Sequence, residues 1–233
     1  MSHANLPLFS TLALGSIATI HLTTAVFPHS YNIHANLISH FSGYFERALK
    51  LSNHPSSVIT LETVKPSVFN VFVQWLYTGT LPSSSAKWSE LAELTTKDLE
   101  KEITRSMLEA VVFGHQYNAP IFQATVHNAL VNKLVSMRPN CAPSYADIVY
   151  AFKSLPADDT LLELFVELHC LYGYEGLDTP EEMSVKDQVP KEFWERVMKK
   201  GVRFVDLEGR DVLKACDWHV HGSEEERWEC DGT

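Results

Sequence analysis

The sequence predicts an α+β protein in which short strands near the N-terminus give way to helices. Three observations carry this. Residues 17–23, Ile-Ala-Thr-Ile-His-Leu-Thr, alternate apolar and polar side chains as a half-buried strand does. At His34 the period lengthens, and Leu37, Ile38 and Phe41 are spaced for one face of a helix. From about residue 103 onward, apolar stripes at helical spacing recur between proline-marked breaks.

Taken in order, Pro28-His29-Ser30 reads as a break and Tyr31-Asn32-Ile33 as a second short strand. Ser42 offers a capping hydroxyl to a helix carrying Tyr44, Phe45 and Leu49. Residues 52–56 read as a loop, and Val58-Ile59-Thr60-Leu61 as a third strand. Pro66 opens the clearest helix, with Val68, Phe69, Phe72, Trp75 and Leu76 at three- and four-residue intervals and Gly79 just past its end. Val71 and Val73 add apolar side chains off that stripe, so this helix is expected to be largely buried. Residues 82–101 form a polar connection, in which Leu91, Leu94 and Leu99 suggest a short helix. Leu108, Val111, Val112 and His115 mark the next stripe, and Phe122, Val126, Leu130 and Leu134 the one after Pro120. Two prolines within residues 138–143 set a boundary. Beyond it lie helices bearing Ile148 and Phe152, then Leu161 to Leu171 capped by Asp158 or Asp159, then Phe193, Trp194 and Val197 after Pro190. The acidic end from Ser223 reads as loose.

Composition bounds the function. Of 233 residues 45% are hydrophobic, and 12 Phe, 5 Trp and 8 Tyr are enough to build a core, so disorder over most of the length is excluded. The net charge is −10, and residues 1–100 contribute only −1 of it. The acidic second half repels phosphate, which argues against nucleic acid as a partner. No run approaches the roughly 20 apolar residues of a spanning helix, so no membrane partner is expected. Residues 6–20 are apolar enough to raise a targeting segment, but they lack a basic start and carry Ser10, Thr11, Ser16 and Thr19. Four cysteines are too few for a disulfide scaffold; Cys141 and Cys170 sit in apolar surroundings, where a buried thiol is the plain reading. With no Asn-x-Ser/Thr acceptor, this points to an intracellular protein of the cytoplasm or nucleus.

Two segments resemble the signatures of the BTB/POZ domain family. His34, Leu37, Ile38, Ser42, Tyr44 and Phe45 are similar to its pattern of His, an apolar pair, then Ser-x-aromatic-Phe. Pro66, Phe69, Phe72, Trp75, Leu76, Tyr77, Thr78, Gly79 and Leu81 resemble its second signature, about thirty residues on. The resemblance spans residues 15–135 and is nearest to fungal single-domain members. It implies a small mixed sheet covered by a helical cluster, here followed by a mostly helical extension over 139–215 and a Cys/His-containing acidic tail over 216–233. It also implies a non-enzymatic protein–protein interaction module. His34, Leu37, Ser42, Tyr44, Phe45, Phe69, Trp75, Tyr77 and Gly79 are then structural residues. His34 is placed to bond the backbone groups freed where strand meets helix, and Gly79 supplies a positive φ.

The departures bear on partners. Dimeric members pair through the first strand and first helix, and the strand there usually carries an acidic residue that residues 17–27 lack. A homodimer therefore stays open. Members that recruit a cullin-type ubiquitin-ligase scaffold show an apolar-x-Glu pattern after the Tyr-Phe pair. Here Leu49-Lys50-Leu51-Ser52 follows and Glu46 comes too early, so the motif does not support the adaptor alternative.

No Gly-x-Ser-x-Gly elbow, His-Glu-x-x-His, phosphate-cradling loop or dinucleotide fingerprint is present, so no catalytic residue and no organic cofactor is expected. One constellation stands apart: Cys216-x-x-His219-x-His221, followed by Cys230. In an extended segment His219 and His221 share a face, and two thiolates with two imidazoles match the four-coordinate shell of structural zinc. The spacing is not a common finger spacing. The plainer alternative is a tail that packs Trp218 and Trp228 against the helical extension.

Overall fold

A computed structural model of the chain describes residues 9–12, 14–23, 29–51, 58–95, 98–137, 142–176, 179–201 and 213–231. The expected loop at 52–56, Cys141 and the first residues of the 6–20 stretch lie outside them. By its internal contacts the chain divides into two compact units, Met1–Val126 and His127–Thr233.

In the first unit, the alternation of residues 17–23 becomes strand β1 (Ile17–Leu22), with Ala18, Ile20 and Leu22 fully buried and the intervening side chains turned outward. β2 (His29–His34) pairs with it antiparallel, Ile20 opposite Tyr31, and β3 (Val58–Leu61) pairs with it parallel, Ile20 opposite Ile59. The order β2-β1-β3 makes a small mixed sheet. His29 and Ser30, expected to break the chain, are the first residues of β2. Pairing with Leu22 and His21 supplies their backbone partners, so the ladder overrides a polar composition.

A single turn, α1 (Phe9–Leu12), precedes the sheet. After β2 the chain turns at once into α2 (Ala35–Phe41) and α3 (Gly43–Leu51). Helix α4 (Pro66–Thr78) begins at its proline and ends on Gly79, whose φ of 68° is left-handed. The expectation that it is buried holds for Val68, Phe69, Val71, Phe72, Trp75 and Leu76. The 82–101 connection holds more helix than its composition suggests. α5 (Ser85–Leu91) starts on Ser84, whose hydroxyl accepts from the Lys87 N–H, and α6 (Leu99–Gln116) begins before Ile103. α6 is buried on nearly all sides from Ser106 to Gly114, which ties it to α4 and α5.

Helix α7 (Pro120–Ser136) follows a tight turn at Asn118, which takes a φ of 48°. The second unit adds α8 (Tyr145–Ser154), α9 (Thr160–Gly176), α10 (Pro180–Lys186) and α11 (Lys191–Lys200). Its core is Ile148, Leu161, Leu162, Phe165, Leu168 and Phe193, and α9 packs against both α8 and α11. Asp159 caps α9 by accepting from the Leu161 N–H at 2.9 Å. α10 is a helix that periodicity did not reveal, because none of its residues is buried; Thr179 caps it and Pro180 starts it. Among the described residues, no helix is long and apolar enough to cross a membrane.

The acidic end differs from the expectation. After a 3-10 turn (Ala215–Trp218) it forms helix α12 (Glu224–Asp231). Ser223 accepts from the Glu226 N–H at 3.2 Å while the Glu226 carboxylate accepts from the Gly222 N–H at 2.8 Å. Ser223-x-x-Glu226 is close to a capping box, and three glutamates in the first turn suit the positive end of the helix.

Candidate functional site

The aromatic signature residues Tyr44, Phe45, Phe69, Phe72 and Trp75 share the aromatic core of the first unit. Phe45, on α3, stacks on Phe72 of α4 at 6.4 Å and on Tyr117 at 5.9 Å between ring centroids. Phe72 in turn meets Phe69, Trp75, Phe113 and Phe122. Tyr44 lies edge-on to Phe45 and to Tyr117. Such edge and offset contacts each add on the order of 1 kcal/mol beyond area burial. Phe113, Tyr117 and Phe122 belong to this cluster although no signature names them. Phe122 was visible as the start of its stripe, whereas Phe113 and Tyr117 lie off the stripe chosen for α6, and only its burial on several sides brings them inside.

The polar signature residues close the joints between elements. Ser42 is buried; its hydroxyl donates to the Tyr117 carbonyl at 2.6 Å and accepts from the Phe45 N–H at 3.3 Å. It thus caps α3 and ties it to the end of α6. His34 does not cap α2 with its side chain. Its ring nitrogen Nδ1 lies 2.9 Å from the Tyr77 hydroxyl, which also accepts from the His34 backbone N–H. One signature residue therefore holds the other across the strand–helix junction. Leu37 is fully buried. Gly79 has open space where a Cβ would stand, so backbone conformation alone calls for glycine there.

The outer face of the sheet is different. Ile17 and Val58 are exposed on strands β1 and β3. Thr19 lies opposite Val58 in the register, and its hydroxyl donates to Asn32 on β2. β2 and β3 are the sheet edges among the described residues.

In the second unit, the tail gathers its own cysteines and histidines and meets α7. Cys216, in the 3-10 turn, is buried. His221 Nε2 lies 3.5 Å from Cys216 Sγ and 3.3 Å from the Cys216 carbonyl. α12 returns Cys230, and ligand atoms of Cys216, His221 and Cys230 all lie within 4.8 Å of one another. His219 Nδ1 lies 3.3 Å from Cys230 Sγ. Its other nitrogen is 3.0 Å from Asn132 Oδ1 on α7; an amide oxygen only accepts, so that nitrogen carries the proton. Burial first, then the neighbouring His221 and His127, hold the His219 imidazole below its ordinary range.

α7 grips the tail at two more points. Asn128 bonds both backbone groups of Val220, donating to the carbonyl at 3.0 Å and accepting from the N–H at 2.8 Å. His127, almost fully buried, has its Nε2 2.8 Å from the Trp218 carbonyl, to which it donates. Trp218 also lies under Lys200, whose ammonium is 5.6 Å from the ring centroid. Trp228 remains largely exposed, so the expected packing of both tryptophans holds for one of them at most.

The first unit is thus a small mixed sheet with an aromatic helical cluster, joined by a His–Tyr clasp. Residues 18–110 match the family model of the BTB/POZ domain, a protein–protein interaction module. The match runs from β1 into α6 and contains both signatures. No curated protein matches the chain.

Proposed function

We propose that this chain acts without catalysis, by pairing with a second copy through its BTB/POZ domain and docking other proteins. The observation behind the pairing is the outer sheet face, where Ile17 and Val58 leave apolar side chains in solvent on adjoining strands. In dimeric members of the family the first strand and first helix meet the partner, which agrees with the placement of Ile17 on β1. An intracellular setting suits this reading, since thiols such as Cys216 and Cys230 stay reduced there.

Light scattering of the purified protein tests the pairing. A mass of twice 26.3 kDa supports it, and a mass of 26.3 kDa at micromolar concentration removes it. Replacing Ile17 and Val58 together by Asp is expected to leave the far-UV spectrum unchanged and shift the mass to one chain, because it buries unpaired charge only where two copies meet. The narrower reading, an adaptor for a cullin-type ubiquitin ligase, has one point in its favour, the exposed Leu51 at the end of α3. Ser52 and Asn53 follow it with no acidic residue, so recovery of a cullin in a pulldown is the result that would promote it.

A further inference from the structure

We infer that Cys216, His219, His221 and Cys230 form a structural zinc site that staples the C-terminal segment into a fixed loop on α7. Three independent features point there. The first is convergence: ligand atoms of Cys216, His221 and Cys230 all lie within 4.8 Å of one another, and each sulfur faces an imidazole nitrogen, at 3.5 Å for Cys216 with His221 and 3.3 Å for Cys230 with His219, which stands outside that trio. A tetrahedral ion with legs of 2.0–2.3 Å sets its ligand atoms about 3.3–3.8 Å apart, so these pairs already stand at the edges of such a shell. A disulfide would need the two sulfurs and no histidine at all.

The second is the state of the histidine ring. Asn132 accepts from His219 Nε2, which leaves the lone pair on Nδ1, the nitrogen that faces Cys230. A ligating histidine is typically held this way, with its remote N–H given to an oxygen outside the shell. The third is local folding. Cys230 reaches the cluster only because Ser223 and Glu226 start α12 and turn the chain back. Meanwhile Asn128 holds Val220, the residue between the two histidines, by both of its backbone groups.

The donor set selects the metal. Two thiolates and two imidazoles favour zinc over calcium or magnesium, which take oxygen ligands. On binding, each thiol gives its proton to buffer as its sulfur takes the ion, so the charge of the dication is cancelled by the two thiolates. His127 and Asn128 do not ligate; they anchor the loop to the helix.

The test uses the full chain purified without a histidine tag. Elemental analysis is expected to return about one zinc per chain, and titration of the metal-depleted protein with cobalt is expected to give the visible bands of a tetrahedral thiolate site. Cys216→Ser and Cys230→Ser should abolish both. Since those variants can lose the fold of the tail, Asn132→Ala gives a second readout. It removes no ligand, and should still bind zinc at saturation with affinity lower by about 10–100-fold. A folded wild-type chain that holds no zinc and shows no cobalt bands overturns the site. So does a Cys216–Cys230 disulfide in protein purified under reducing conditions, or an unchanged affinity in Asn132→Ala.

Discussion

Phe72 shows how one residue can carry a domain. It is fully buried and touches rings from α3, α4, α6 and α7, including Phe45, Phe113 and Phe122. Removing its ring would leave a cavity lined by other rings. Phe72→Ala is expected to cost about 3–5 kcal/mol, read as the shift in urea midpoint of the first unit. The position was legible from spacing alone, as were Phe45, Phe69 and Trp75, because a buried aromatic on a helix must recur at three or four residues. The partners of His34 were not legible. An imidazole at a strand–helix junction has several backbone groups within reach, and only the fold sets Tyr77 at 2.9 Å from it.

Between elements, close approach is decided by what side chains are absent. Gly114 lies where α6 faces α7, and a Cβ there would stand 2.7 Å from Gln123 Cβ and 2.9 Å from its Cα. Backbone cannot yield as a side chain does, so Gly114→Ala should push the helices apart and lower stability by about 1–3 kcal/mol, measured by denaturant unfolding. In the second unit, α7 and α9 each carry a histidine that burial holds below its ordinary range: His127, despite the opposing Trp218 carbonyl and Asp159, and His169, aided by Lys186. Both are neutral when folded, and the unfolded chain binds more protons as acidity rises. Their contribution is therefore fully present above about pH 6.5 and is lost as the pH falls toward their depressed folded values. The thermal midpoint should drop between pH 7.5 and 6, with a shallower slope in His127→Gln, whose amide can still donate to Trp218. Helices were well foreshadowed where one face is apolar. α10 and α12 were not, since they form on caps and charge rather than on burial.

Across the whole chain, charge limits the partners that apolar surface invites. The net −10 falls almost wholly beyond residue 100, while the exposed Ile17 and Val58 belong to the nearly neutral first unit. Association should thus be driven by apolar burial at the sheet, and polyanions should be rejected. Fluorescence anisotropy with duplex DNA at physiological salt is expected to show no binding at micromolar protein; a saturable rise with a steep salt slope would contradict this.

The sequence by itself determined the α+β order, the two signature helices and the family, because burial periodicity and turn residues act over a few neighbours. It also placed Cys216, His219, His221 and Cys230 in one short segment. Only the tertiary structure decided that ligand atoms of Cys216, His221 and Cys230 lie within 4.8 Å of one another, that Asn132 holds the His219 ring against Cys230, and that Ile17 and Val58 stay in solvent. Those facts depend on where residues distant in sequence come to rest, and a long-range contact is set by the packing of the whole unit rather than by the spacing of its residues.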